Sequence, residues 1–124
     1  MKPQLILIAG PYRSSTNGNA ALIASNLHRL EEAALEVYRL GHMPMIGEWV
    51  ALPLAAAAGS KELGDPISET FLYPVANRLI RQCDAVYRIE GASQGADADV
   101  HLAEELGLPV YRSTGDIPEV EAPV

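Results

Sequence analysis

Asp99 is a carboxylic acid at a point in the chain where the surrounding pattern asks for an apolar side chain. The stretch that holds it, Ser93 to Gly107, reads Ser-Gln-Gly-Ala-Asp-Ala-Asp-Val-His-Leu-Ala-Glu-Glu-Leu-Gly. Wound as a helix at about 100° per residue, it gathers Ala96, Val100, Ala103 and Leu106 on one arc, with Leu102 on the flank. That arc must pack on a sheet. Asp97, His101, Glu104 and Glu105 fall on the opposite arc, where a solvent-facing surface carries charge. Asp99 falls inside the apolar arc, within about a turn of the helix start. Two uses fit such an acid. It can complement the positive end of the helix dipole or cap a helix that begins later. It can also be a partly buried carboxylate at the mouth of a cleft, poised as a nucleophile or base.

The neighbouring residues favour a ligand site without naming the ligand. Ser93, the backbone amides near Gly95 and the helix N-terminus together make an anion cradle. Tyr12-Arg-Ser-Ser-Thr-Asn-Gly-Asn19 is a polar loop after an apolar run, and Arg13 is its one cation. Trp49, the sole tryptophan, can stack on a nucleobase, although ordinary packing is its commoner use. A Ser-His-Asp triad is excluded by the absence of a Gly-x-Ser-x-Gly elbow. His28, His42 and His101 share no metal-ligand spacing, so neither a metal nor a cofactor is expected. Cys83 reads as a small buried apolar residue rather than a nucleophile.

Composition narrows the partners. The chain of 124 residues has the length of one domain that buries its own core, and 48% hydrophobic with 20% charged residues is a globular balance. A formal net charge of −7 with no Lys/Arg cluster argues against a nucleic-acid polymer, whose binding needs a basic face. A small anion would need local help from Arg13 or a helix start. One cysteine fits a reducing compartment, and no apolar run reaches a membrane span or resembles a signal peptide. The expectation is a cytoplasmic protein acting on a small molecule.

Strand and helix signals alternate along the chain. Leu5-Ile-Leu-Ile8 before Ala9-Gly10-Pro11 reads as a strand buried on both faces. Ala20 to Leu40 has helical apolar spacing, with Asn17 or Asn19 as cap and Gly41 as terminator. His42 to Ile46 is a short strand that Pro44 assigns to an edge. Gly47 to Asp65 reads as an irregular excursion with about one turn of helix, broken by Gly59 and Gly64. Asp65-Pro66 opens another helix, which Pro74 kinks or restarts. Asp84 to Ile89 and Leu108 to Tyr111 are the remaining strands, and Arg112 to Val124 is a polar tail or a subunit contact. This alternation predicts an α/β fold, a three-layer α/β/α sandwich with a parallel flavodoxin-like or Rossmann-like sheet of strand order 2-1-3-4. The loops at Tyr12 to Ser15 and Ser93 to Asp99 would then share one crevice.

With those residues in place, the chain resembles the nucleoside 2-deoxyribosyltransferase family. The resemblance rests on Leu7-Ile-Ala-Gly-Pro-Tyr12, Cys83-Asp-Ala-Val-Tyr87, and Ser93-x-Gly-Ala-x-x-Asp99 followed by Ala103 and Gly107-x-Pro109. It covers most of the chain, is nearest to the branch of 2'-deoxynucleoside 5'-phosphate N-hydrolases, and leaves Gly47 to Asp65 without a counterpart. It implies cleavage or transfer at an N-glycosidic bond of a nucleoside or nucleoside 5'-monophosphate. Asp99 stands where the family has the glutamate that attacks the anomeric carbon. Ser93 matches the serine of the phosphate-preferring branch, and Arg13 the arginine that meets the 5'-phosphate. Gly10, Tyr12 and Gly95 complete the implied substrate site, Glu48 and Trp49 are candidates for a base pocket, and the family habit implies a homodimer or higher homo-oligomer. Two departures stand out. Aspartate is one methylene shorter than glutamate, and Pro11 replaces a polar residue. They leave open a second reading, a nucleotide-binding or sensing module without turnover. A phosphoribohydrolase would show a richer glycine loop than Gly95-Ala96.

Overall fold

The computed structural model of the chain describes residues 2–62 and 64–121. Four strands, β1 (Leu5–Ala9), β2 (Met43–Met45), β3 (Ala85–Arg88) and β4 (Val110–Tyr111), form one parallel sheet in the order β2-β1-β3-β4. Leu7 pairs with Met45 on one side and with Val86 on the other, so β1 is central and β2, with Pro44, lies at an edge. An edge place spares Pro44 from owing a ladder hydrogen bond.

Side chains of a strand alternate between its faces, and here both faces are covered. Ile6, Ile8, Ala85 and Tyr87 pack with Leu30, Ala34 and Val37 of α1 (Ala20–Arg39). Leu7, Ala9 and Val86 pack with Ile80 of α3 (Pro66–Ile80) and with Ala96 and Ala103 of α4 (Gln94–Glu105). The result is the three-layer arrangement expected from the alternating signals. Cys83 is buried within the second cluster, and burial pushes its thiol up to about 11. It is a packing residue.

Helix starts follow the capping residues. Asn19 rather than Asn17 caps α1, accepting the Leu22 N–H at 3.1 Å. Asp65 caps α3 and also accepts from the Lys61 and Glu62 amides and the Ser60 hydroxyl. Those bonds, led by Ser68 and Lys61, hold its carboxyl well below the usual carboxylate range. Ser93 caps α4, its Oγ accepting the Ala96 N–H at 3.1 Å. Asp97 is the acid of that first turn. Asp99 therefore lies in the second turn, and neither the cap nor the first-turn dipole position is its place.

Three expectations change, and Pro74 loses one of its two readings. The segment after β2 forms a real helix, α2 (Gly47–Ala57), which runs through Pro53 and packs along α3. Ala51 and Ala55, four apart, are the residues it buries. Pro74 sits inside α3 without marking its start. Leu106 is exposed, because the helix has ended by the time its turn comes. The segment after β4 is no free tail. Ile117 enters the α1-side core, and the Val120 N–H donates to Leu40 O at 2.7 Å. His42, 3% exposed, accepts the Gln4 N–H on Nδ1 at 2.9 Å and meets Pro118 O with Nε2. That pairing requires the proton on Nε2. The part of the tail at 122–124 lies outside the described residues. Among the described residues no helix is long and apolar enough to cross a membrane.

Candidate functional site

A cleft of about 200 Å³ opens over the carboxyl ends of β1 and β3, where the strand order reverses and open α/β sheets bind their ligands. Gly10, Tyr12, Arg13 and Ser14 form its floor, Glu48 comes from the first turn of α2, and Glu69, Leu72 and Tyr73 come from α3. Ser93, Gly95 and Asp99 close it from the α4 side. The volume is below the roughly 300–1,000 Å³ of drug-sized pockets. A shallower recess lined by Ser14, Ser15, Tyr73, Ser93, Gln94 and Gly95 adjoins it.

Gly10 is fixed by packing as well as by the cleft. A Cβ there would stand 2.4 Å from Ile89 Cγ1 and 3.1 Å from Leu30 Cδ2. The missing side chain lets the β1 end lie flat under the ligand space, next to β3.

The electrostatics centre on two half-buried acids. Burial, then the charge of Glu48, push the Asp99 carboxyl up to about 7, and the Arg88 guanidinium opposes them. Burial also raises Glu48, against a stabilising bond to its own backbone N–H. Burial raises the Tyr12 phenol too, with Glu48 adding and Arg13 opposing. Carboxyls that resist ionisation beside a phenol are what an acid-base site requires at neutral pH.

Arg88 carries no signal of its own in the sequence beyond being a charge in an apolar strand. It is only 8% exposed, and its Nη2 donates to Gly91 O at 2.8 Å and to Asp97 Oδ1 at 3.0 Å while Nη1 donates to Ile89 O. It thus ties the β3 end to the turn and to the first turn of α4. This brace holds Ser93, Gly95 and Asp99 in one arrangement. It is also the cation that favours Asp99's ionised form.

Arg13 lines the cleft, but its Nη1 is paired with the Glu69 carboxylate. Gly64, at φ +84, lies against the guanidinium so closely that a Cβ would be 2.6 Å from Nη2. Only glycine meets both conditions, positive φ and no side chain. Arg13 is absent from the recess that Ser93 and Gly95 share with Gln94. Serine side chains and the first turn of α4 line that recess, and the Ala96 N–H of the turn is already taken by Ser93 Oγ.

The structure thus gathers Asp99, Gly10, Tyr12, Arg13, Ser93, Gly95 and Glu48 around one cleft. It does not bring Trp49. That indole, 39% exposed, donates its N–H to Glu31 of α1 at 3.0 Å and lines no part of the cleft. Successive helix residues point about 100° apart, and the indole that follows Glu48 is turned to α1 instead.

No protein-family model matches the sequence, and no curated protein matches it. Among solved structures the chain is similar to a 2-deoxyribosyltransferase from the psychrotolerant bacterium Bacillus psychrosaccharolyticus, described as a biocatalyst for the synthesis of antiviral and antitumoral nucleosides. Identity is 17%, the match covers 94% of this chain and 92% of that one, and the TM-score is 0.64. The similarity establishes a shared fold at a distant level. The order β2-β1-β3-β4 and the helical layers on both faces of the sheet are the features of this chain that belong to that fold.

Proposed function

We propose that the chain cleaves the N-glycosidic bond of a nucleoside or nucleoside 5'-monophosphate, passing the sugar to water or to a second base. Asp99 is the carboxylate that meets the anomeric carbon. The observation that carries this reading is the seat of Asp99: half-buried in the cleft at the strand-order reversal, with Tyr12 and Ser93 on the same walls. Loss of the base leaves positive charge on the sugar ring, which a nearby carboxylate stabilises or captures as an ester. The partly dry surroundings strengthen that attraction. A 5'-phosphate fits the recess at Ser93, Gln94 and Gly95, and Arg13 joins it by exchanging Glu69 for phosphate. A homodimer that completes the site across its interface belongs to the same reading.

A panel of nucleosides, nucleoside 5'-monophosphates and NAD, assayed for free base, tests it. Asp99→Asn is expected to abolish release, by ~100-fold or more, while leaving ligand affinity within a few-fold. Equal release by wild type and variant would remove Asp99 from the chemistry.

One observation favours the second reading, nucleotide binding without turnover. A carboxyl pushed up to about 7 is half protonated at neutral pH, and it is shorter than glutamate by one methylene. In that case the wild type binds a nucleotide tightly and releases nothing, and Asp99→Glu creates activity.

A further inference from the structure

The cleft holds a second carboxyl on the far side from Asp99. Glu48 opens α2 directly after β2, whereas Asp99 is carried on α4, which follows β3. The strand order places β1 between them, so the two acids flank the β1 end at Gly10 and Tyr12 from opposite sides. Two strand spacings, roughly 10 Å, separate the strands that launch them, and both side chains line the space between. The acids are not equivalent. Arg88 stands behind Asp99 and favours its ionised form. No cation acts on Glu48. Burial and the Glu48 charge outweigh Arg88 and push Asp99 up to about 7, so near neutral pH the two carboxyls share one proton, and Arg88 favours the form in which Glu48 holds it.

We propose that Glu48 is the proton donor of this cleft, giving its carboxyl proton to the departing base while the Asp99 carboxylate takes the anomeric carbon from the other flank of β1. The inference rests on the N-glycosidase reading and assigns its second catalytic residue. In the first step the bond from the anomeric carbon to the base nitrogen breaks, and its electron pair stays on the base. The base takes the Glu48 proton, and the anomeric carbon gains a bond to Asp99. In the second step water attacks that carbon and the Asp99 oxygen leaves as carboxylate. The water's proton returns to Glu48, so the site regains its starting charge. When a second base is the acceptor, its N–H supplies that proton. Two acids with opposite tasks, kept distinct by unlike surroundings, are how one cleft runs acid and base chemistry together.

The test compares two leaving groups in wild type and in Glu48→Gln, which keeps the shape and removes the proton. One substrate is a neutral nucleoside released by the wild type. The other is a counterpart that needs no proton to leave, an N7-methylated purine nucleoside or the 4-nitrophenyl glycoside of the same sugar. Glu48→Gln is expected to lose about 100-fold or more in kcat/KM on the first and under about 3-fold on the second. Asp99→Asn loses on both, and Glu48→Asp restores part of the activity on the first. An equal loss on both substrates, or none, overturns the assignment and leaves the N-glycosidase reading standing. A wild type that releases nothing from any of them ends both.

A titration of the Asp99 carboxyl by carbon NMR checks the pairing without catalysis. Tyr12 and Arg13 from the β1–α1 loop and Glu69 and Tyr73 from α3 line the cleft, Arg88 of β3 acts on Asp99 from behind, and all are unchanged in Glu48→Gln. Removing the Glu48 charge therefore moves the Asp99 midpoint down. A midpoint that stays in place shows that the two carboxyls do not share the site.

Discussion

Burying Asp99 has a cost to the fold that depends on pH. Its carboxyl is pushed from 3.8 up to about 7, so the folded chain holds a proton that the unfolded chain releases near its ordinary value. Stability is then full below that ordinary value and declines as pH rises through about 7. Asp99→Asn is expected to melt like wild type near pH 4 and to be more stable above pH 7, by on the order of 2 kcal/mol. Thermal melts across that range check it, and a difference that stays constant with pH would show that Asp99 is solvated. Activity needs one proton shared between Asp99 and Glu48, so kcat/KM is expected to rise as the first of the two carboxyls ionises and to fall as pH passes about 7, where the proton still held by the pair is lost. At this scale the sequence was legible where periodicity gave a residue an address. Asp99 broke an apolar arc and could be seen. Arg88 could not, because an arginine after Ala85-Val-Tyr87 reads as a strand reaching solvent, and only the fold shows the carbonyls that hold it. Trp49 kept two readings, stacking and packing, because the helix that turns it towards Glu31 was not foreseen.

The misread element, α2, carries half of the proposed chemistry. Pro53, Gly59 and Gly64 obscured its period, and no side chain caps it, since Ile46 stands at that position. Its stability comes from tertiary packing, with Ala51 and Ala55 buried and α3 as its main neighbour. The strands and the other helices were legible because they bring their own signals: unbroken apolar runs, Asn19, Asp65 and Ser93 as caps, and α1's long stripe. Dependence on a close helix contact makes a contrast. Ala51→Leu, at a side chain 1% exposed, is expected to cost about 1–3 kcal/mol by overpacking and to lower kcat/KM by displacing Glu48. Leu54→Lys, three residues on at a side chain 46% exposed, should change stability by no more than about 0.5 kcal/mol. Denaturant melts with base-release assays separate the two, and equal effects would mean that α2 is not seated by its alanines.

Across the whole molecule, the sheet order and the layers on its faces were legible from the alternation of signals, whereas the docking of the segment after β4 was not. Ile117 is one apolar residue among polar ones, and His42 follows a helix-ending glycine; nothing in either sequence context announces the other. His42 accepts from Gln4 and meets Pro118 on its two ring nitrogens, and Tyr111 donates to the Gln4 side chain at 3.1 Å. Positions near the two ends of the described chain are thus neighbours, one imidazole apart. The order in which the polypeptide visits its strands is then separable from the sheet it builds. A circular permutant that joins residue 121 to residue 2 by a short Gly/Ser linker, with new ends at the exposed Gly59 turn, should fold with the same parallel sheet. Its cleft would keep Asp99 and Glu48 on continuous chain with their strands, while the link between α2 and α3 is cut. Retained base release in such a permutant would mean that the two carboxyls are held by the sheet and the helix contact alone, and the wall bearing Glu48 could then be supplied as a separate fragment.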